Sequence, residues 1–160
     1  MALTTLGNTA FGTSSVVSAT LKDSAVVYNK LDANTAHIDR NQTITGRNTY
    51  SAAQRGSISA LGVQTSTVTL NMNTSNYFSL TANGNITIAN PSNTTAGQAG
   101  ALFVTANGNY TTSFGSHWRF AGGTAPTMST SAGKVDRIDY VVQTANTIHA
   151  VATIDLLGTA

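Results

Sequence analysis

Cysteine and glutamate are both absent from the 160 residues, proline occurs twice, and charged residues make up only 9% of the chain. Without thiols there can be no disulfide, thiolate metal site or cysteine nucleophile. A soluble domain ordinarily carries about 25% charged residues, so the surface here must be built from neutral polar groups. All six acids are Asp. No apolar run approaches the ~20 residues needed to cross a bilayer, and Met1 to Ala10 lacks the basic and apolar regions of a signal peptide. Neither membrane insertion nor signal-directed export is expected. The net charge of +2 and the pI near 9.2 come from scattered cations. None of these clusters with aromatics in the manner of a nucleic-acid site, so no nucleic-acid partner is expected either.

What the chain does contain is 27 Thr, 15 Ser and 15 Asn. These residues compete with helix interiors and favour strands, turns and caps. Hydrophobic residues, 41% of the total, alternate with them rather than standing apart, which argues against disorder. A chain of this length can form one domain that removes about 70% of its unfolded surface from water. The fold class expected is all-β: an antiparallel β-sandwich or jelly-roll-like domain preceded by an extended N-terminal arm.

Three segments follow: an arm over 1–45, a linker over 46–56 and the β-domain over 57–160. The arm has apolar pairs, Val16-Val17 and Val26-Val27, without a sustained period. Leu21, Ala25, Tyr28, Leu31 and Thr35 fall at three- and four-residue steps and predict a short helix within Thr20 to Ile38. From Ser57 the period becomes two, with Val68, Leu70 and Met72 on one face. Strands are predicted at Tyr77 to Thr81, Asn85 to Ala89, Gly100 to Ala106, Asn109 to Phe114, Val135 to Gln143 and Thr147 to Leu156. Strands at this spacing make a sandwich the default.

Thr81-Ala82-Asn83-Gly84-Asn85 recurs as Thr105-Ala106-Asn107-Gly108-Asn109. Asn-Gly between alternating runs is a strong hairpin signal, because a type I′ turn needs positive φ at both central positions. Asn83, Gly84, Asn107 and Gly108 are therefore read as turn-defining residues, and the repeat as turn chemistry rather than a solenoid. In the segment Phe114 to Gly123, three aromatics within seven residues (Phe114, Trp118 and Phe120) carry too much apolar area to stay in water. They are expected to be anchored in a core or an interface.

The candidates for chemistry are sparse. His37, His117 and His149 lie far apart, and no pair has the spacing of local metal ligands. Asp136 and Asp139 flank Arg137 but point to opposite faces of a strand, so they do not converge as a glycosidase pair must. Arg137 is expected to pair across strands or between subunits. No catalytic residue, metal site or cofactor is expected, and the chain is not read as an enzyme. His117, Trp118 and Arg119 are the candidate contacts for a glycan or another partner.

Two stretches resemble known proteins. Asn41-Gln42-Thr43-Ile44-Thr45-Gly46-Arg47-Asn48-Thr49-Tyr50 resembles the QTI-x-G-x-K-T-F element of phage tail fibres and other virion proteins, with Asn48 and Tyr50 in place of its Lys and Phe. Leu80 to Asp155 is similar to a β-domain at the ends of many phage structural proteins, through Ala96-Gly97-Gln98-Ala99-Gly100, Phe114-Gly115-Ser116-His117-Trp118-Arg119-Phe120 and Gly122-Gly123-Thr124-Ala125-Pro126. Leu21 to Val27 and Lys30 to Asn34 resemble the segments that precede such domains in fibres.

The resemblance implies a bacteriophage virion protein, a homotrimer with 46–56 as its neck. The length leaves no room for a long shaft. The function expected is therefore capsid decoration, as a cement or head-spike protein assembled in the host cytoplasm and placed on the capsid surface. Val16, Val17, Leu21, Val26, Val27, Tyr28 and Leu31 would bury apolar area against the major capsid protein, other virion proteins or sister subunits. An arm without its own core is ordered only where something ties it down, so partners are expected along its length. The alternative is a short tail fibre or receptor-binding protein that contacts host surface glycan.

Overall fold

The computed structural model describes Arg47 and residues 49–156. The predicted arm helix and the seven apolar arm residues lie outside this range. Contacts divide the chain at Ser51/Ala52, and the fold described is that of the second unit.

It is all-β, with nine strands: β1 (Ile58–Gln64), β2 (Thr67–Val68), β3 (Tyr77–Ala82), β4 (Ile86–Ile88), β5 (Ala99–Ala106), β6 (Thr112–Phe114), β7 (Trp118–Arg119), β8 (Val135–Thr144) and β9 (Thr147–Leu156). Among the described residues one 3-10 turn, Ala121–Gly123, is present and follows β7. The strands form a six-stranded sheet in the order β1-β3-β5-β8-β9-β7 and a three-stranded sheet in the order β2-β4-β6.

The pairing departs from the antiparallel sandwich that the sequence predicts. β1, β3 and β5 run parallel, as do β2, β4 and β6. The chain therefore goes round three times, laying one strand in each sheet per turn, and stacks three rungs. Only after the third rung does the ladder turn antiparallel, when β8 pairs with β5 and β9 with β8. β8 and β9 are joined by the two residues Ala145 and Asn146.

The reason lies in the two Asn-Gly sites. Neither Asn83, Gly84 nor Asn107 has positive φ, so no type I′ hairpin forms. At each site the chain instead turns a corner from one sheet into the other. Thr81 pairs in register with Thr105 and Ala82 with Ala106, so the two copies of the repeat lie one above the other. Asn107 Nδ2 donates to Asn83 Oδ1 at 3.1 Å, and the Asn107 amide N–H donates to the Ala82 carbonyl at 3.0 Å. Gly84 is required for the stacking, since a Cβ there would stand 2.8 Å from the Thr65 carbonyl oxygen of the rung before. The repeat is thus the signature of a short stack, not of hairpins.

Other side-chain ladders join the rungs. Asn93 Nδ2 donates to Asn71 Oδ1 at 2.9 Å, and the hydroxyls of Thr87 and Ser113 lie 2.9 Å apart. Each such bond contributes on the order of 1 kcal/mol net. This is what an abundance of Asn, Thr and Ser does in stacked strands: amide meets amide and hydroxyl meets hydroxyl from rung to rung.

The core lies between the sheets. Phe78 and Leu80 of β3, Leu102 and Val104 of β5, and Ile138, Tyr140 and Val142 of β8 meet Val68, Ile86 and Ile88 from the smaller sheet. Val68, Leu70 and Met72 are all buried, as their alternation predicts. The six strands predicted after residue 76 are all present with ends shifted by three residues at most. The alternating run from Val63 to Leu70 is broken at Thr65-Ser66, where β1 ends and the first corner begins.

Candidate functional site

The segment from β6 to Ala125 closes one end of the stack with its aromatic side chains. Trp118 is 5% exposed, and its Nε1 donates to the Ala89 carbonyl at 3.1 Å. Its ring meets Phe114 edge-on at 5.9 Å and Tyr140 at 6.0 Å, while Phe114 and Phe120 stand 4.8 Å apart. Edge-to-face pairs at these distances contribute about 0.5–1.5 kcal/mol beyond their burial. The anchoring predicted for all three aromatics is observed: Phe114 and Phe120 pack against the core from its margin.

Of the three candidate contact residues, Trp118 turns inward, Arg119 is exposed, and His117 is half-buried. His117 is fixed through its backbone, where its N–H donates to Asn90 Oδ1 at 2.8 Å and its carbonyl accepts from the Ile148 N–H at 2.9 Å. Among the described residues, its buried Nδ1 has no hydrogen-bond partner. β7 runs parallel to β9, which sets Arg119 opposite His149. An open cleft of about 210 Å³ lies here, lined by Phe114, Gly115, Trp118, Arg119, Phe120, Gly123 and Ala125. It offers an aromatic floor and one guanidinium. That suits a small ligand with an apolar face and an acceptor or anionic group.

Asp136 and Asp139 do face opposite ways. Asp139 pairs with Arg137, Nε to Oδ2 at 2.9 Å. This is a contact within β8, not the cross-strand pair that the sequence suggests, because side chains two apart on a strand share a face.

Asp136 has a different use that the sequence pattern does not disclose. It is 1% exposed and accepts three hydrogen bonds: from the Ser129 N–H at 2.6 Å, the Ser129 hydroxyl at 2.7 Å and the Asp155 N–H at 2.8 Å. The carboxylate ties the long connection after β7 to the end of β9. A buried Asp in an alternating strand, at the position where its neighbours Ile138 and Tyr140 face the core, is the one signal that could have flagged it. Lys134 pairs with Asp155 beside it.

No protein-family model, curated protein or solved structure matches the chain. The functional reading therefore rests on the residues and the geometry above. Asn83, Gly84 and Asn107 belong to the stacking of the body, whereas Gly108, at φ +155, turns the chain against the Tyr110 ring. Arg119 and the cleft margin are presented outward. Val16, Val17, Leu21, Val26, Val27, Tyr28 and Leu31 lie outside the described residues.

Proposed function

We propose that this chain is a bacteriophage virion protein that decorates the capsid shell, attaching through residues 1–45 and projecting a two-layered, sandwich-like β-body as a homotrimer. The observation that carries the reading is the character of the body. Its described surface carries hydroxyl and amide ladders and exposed apolar strand residues with few charges among them, so it offers contact area rather than a field to attract a charged substrate. Repetition over a particle multiplies such modest contacts into avidity. The resemblance of 41–50 and of Leu80 to Asp155 to virion elements points the same way.

Deleting residues 1–45 tests it. The core runs from Val68 to Ala150, so the remainder keeps its own reason to fold. The truncated protein should retain a β-type circular dichroism spectrum and lose co-sedimentation with capsids. Capsid binding at full-length affinity would refute attachment through the arm.

The cleft at Arg119 favours a second reading, a short tail fibre or receptor-binding protein. In that case the guanidinium and the aromatic floor would hold an acidic sugar of the host surface. Arg119→Ala should then abolish binding to host glycan while leaving capsid association unchanged, and glycan binding unaffected by the substitution would exclude this site.

A further inference from the structure

The two sheets differ in what they turn outward. On the smaller sheet the exposed side carries Thr67, Thr87 and Ser113, small hydroxyls of which the last two bond to each other. On the larger sheet, one row crosses five strands through Ile58, Tyr77, Ala101, Asp139 and Val151. Ile58 is 56% exposed and Val151 66%. Val141, one row away, is 51% exposed, and Val63, two rows away on the other side, 62%. Arg137 and Asp139, in the middle of the face, neutralise each other. Ser79, Thr81, Thr105 and Thr153 stand among these side chains, so over β1, β3, β5, β8 and β9 the face mixes exposed apolar groups with hydroxyls and carries no net charge, while Arg119 lies beyond it on β7.

We propose that this outer face, over β1, β3, β5, β8 and β9, is the surface on which another copy of the same chain packs. The inference goes beyond the proposed homotrimer: a face that meets its own copy does so about a two-fold axis, so this contact joins copies in pairs and is separate from the one that builds the trimer. Two arguments select a like copy. A face with its own charges internally paired neither attracts a charged partner nor repels itself. The area is also appropriate: five strands about 4.8 Å apart and about 20 Å long present roughly 400–500 Å². Two such faces bury about 800–1,000 Å², near the lower bound for a specific interface. Weak association is what that area supports, strengthened where many copies sit on one particle.

Packing face to face is favoured over pairing edge to edge. Among the described residues β1 is one edge of the sheet, and it is interrupted between Ala60 and Val63, where Gly62 takes φ +70. A bulge of this kind twists an edge away from strand addition.

Sedimentation velocity of the full chain over a wide concentration range tests the proposal. The wild-type protein should associate reversibly. Val151→Lys combined with Val141→Lys, which places like charges on both copies of the face, should weaken association at least tenfold without changing the circular dichroism spectrum. Thr87→Lys on the other sheet should leave association intact, and Val141→Lys alone serves if the double variant does not fold. A wild-type chain that is monomeric throughout overturns the proposal. So does undiminished association of the lysine variants, which would move the contact to residues outside this face and leave attachment through residues 1–45 untouched.

Discussion

Replacing Asp136 by Asn removes a charge and almost no volume, so its effect isolates the hydrogen bonds. Oδ2 accepts from the Ser129 N–H, while Oδ1 accepts from the Ser129 hydroxyl and the Asp155 N–H. An amide has only one acceptor oxygen. Whichever way it is turned, its NH2 faces one of the two backbone N–H groups and strands it. The expected cost is the loss of one charge-assisted bond together with a partly buried unpaired donor, about 1–2 kcal/mol. Asp136→Ala strands all three donors and should cost about 2–3 kcal/mol, the partial exposure of the partners keeping the figure below a fully buried sum. In a unit of about 100 residues each kcal/mol moves the melting temperature by about 4–8 °C. Urea denaturation followed by tryptophan fluorescence is the assay, since Trp118 is the sole tryptophan and is buried. The midpoint should fall at unchanged slope, in the order wild type, Asn, Ala. A midpoint for Asp136→Asn equal to that of wild type would mean that the carboxylate does not hold the connection in place.

Trp118→Ala should cost about 3–5 kcal/mol, as for a buried aromatic truncated in a core, and calorimetry should show it as a loss of folded stability. A glycan-binding defect without destabilisation would contradict the inward placement. Burial, with Tyr77 nearby, pushes the Tyr140 phenol up to about 12, from an ordinary value of 10.0. The unfolded chain loses that proton at lower pH than the fold does, so the contribution of Tyr140 is complete below pH 10 and is lost as the pH rises through 12. Spectroscopic titration should show a tyrosine ionising near pH 12 that is missing from Tyr140→Phe.

The strands were legible because alternation survives any pairing: β3, β5, β8 and β9 bury the residues that their period assigns to one face. Pairing direction was not legible from the same pattern, since parallel and antiparallel neighbours present the same alternation of side chains. The Asn-Gly repeat misled for a physical reason. Asn and Gly suit a left-handed turn, but they equally suit a corner where one side chain must bond its copy in the next rung and the other must have no Cβ. The offset was the unread clue, because the copies of the repeat lie as far apart as Tyr77 and Ala101, which pair in the sheet. At the candidate site, the anchoring of Phe114, Trp118 and Phe120 followed from their area alone. The cleft and the role of Asp136 depend on which distant backbone groups converge, on Ala89, Ser129 and Asp155, and no local pattern encodes that.

The central claim, that the protein stands on a capsid, is tested most directly by gold-labelled antibody against the β-body viewed on whole particles. The account predicts label distributed over the head. Label confined to the tail would contradict it and leave the receptor-binding reading in its place.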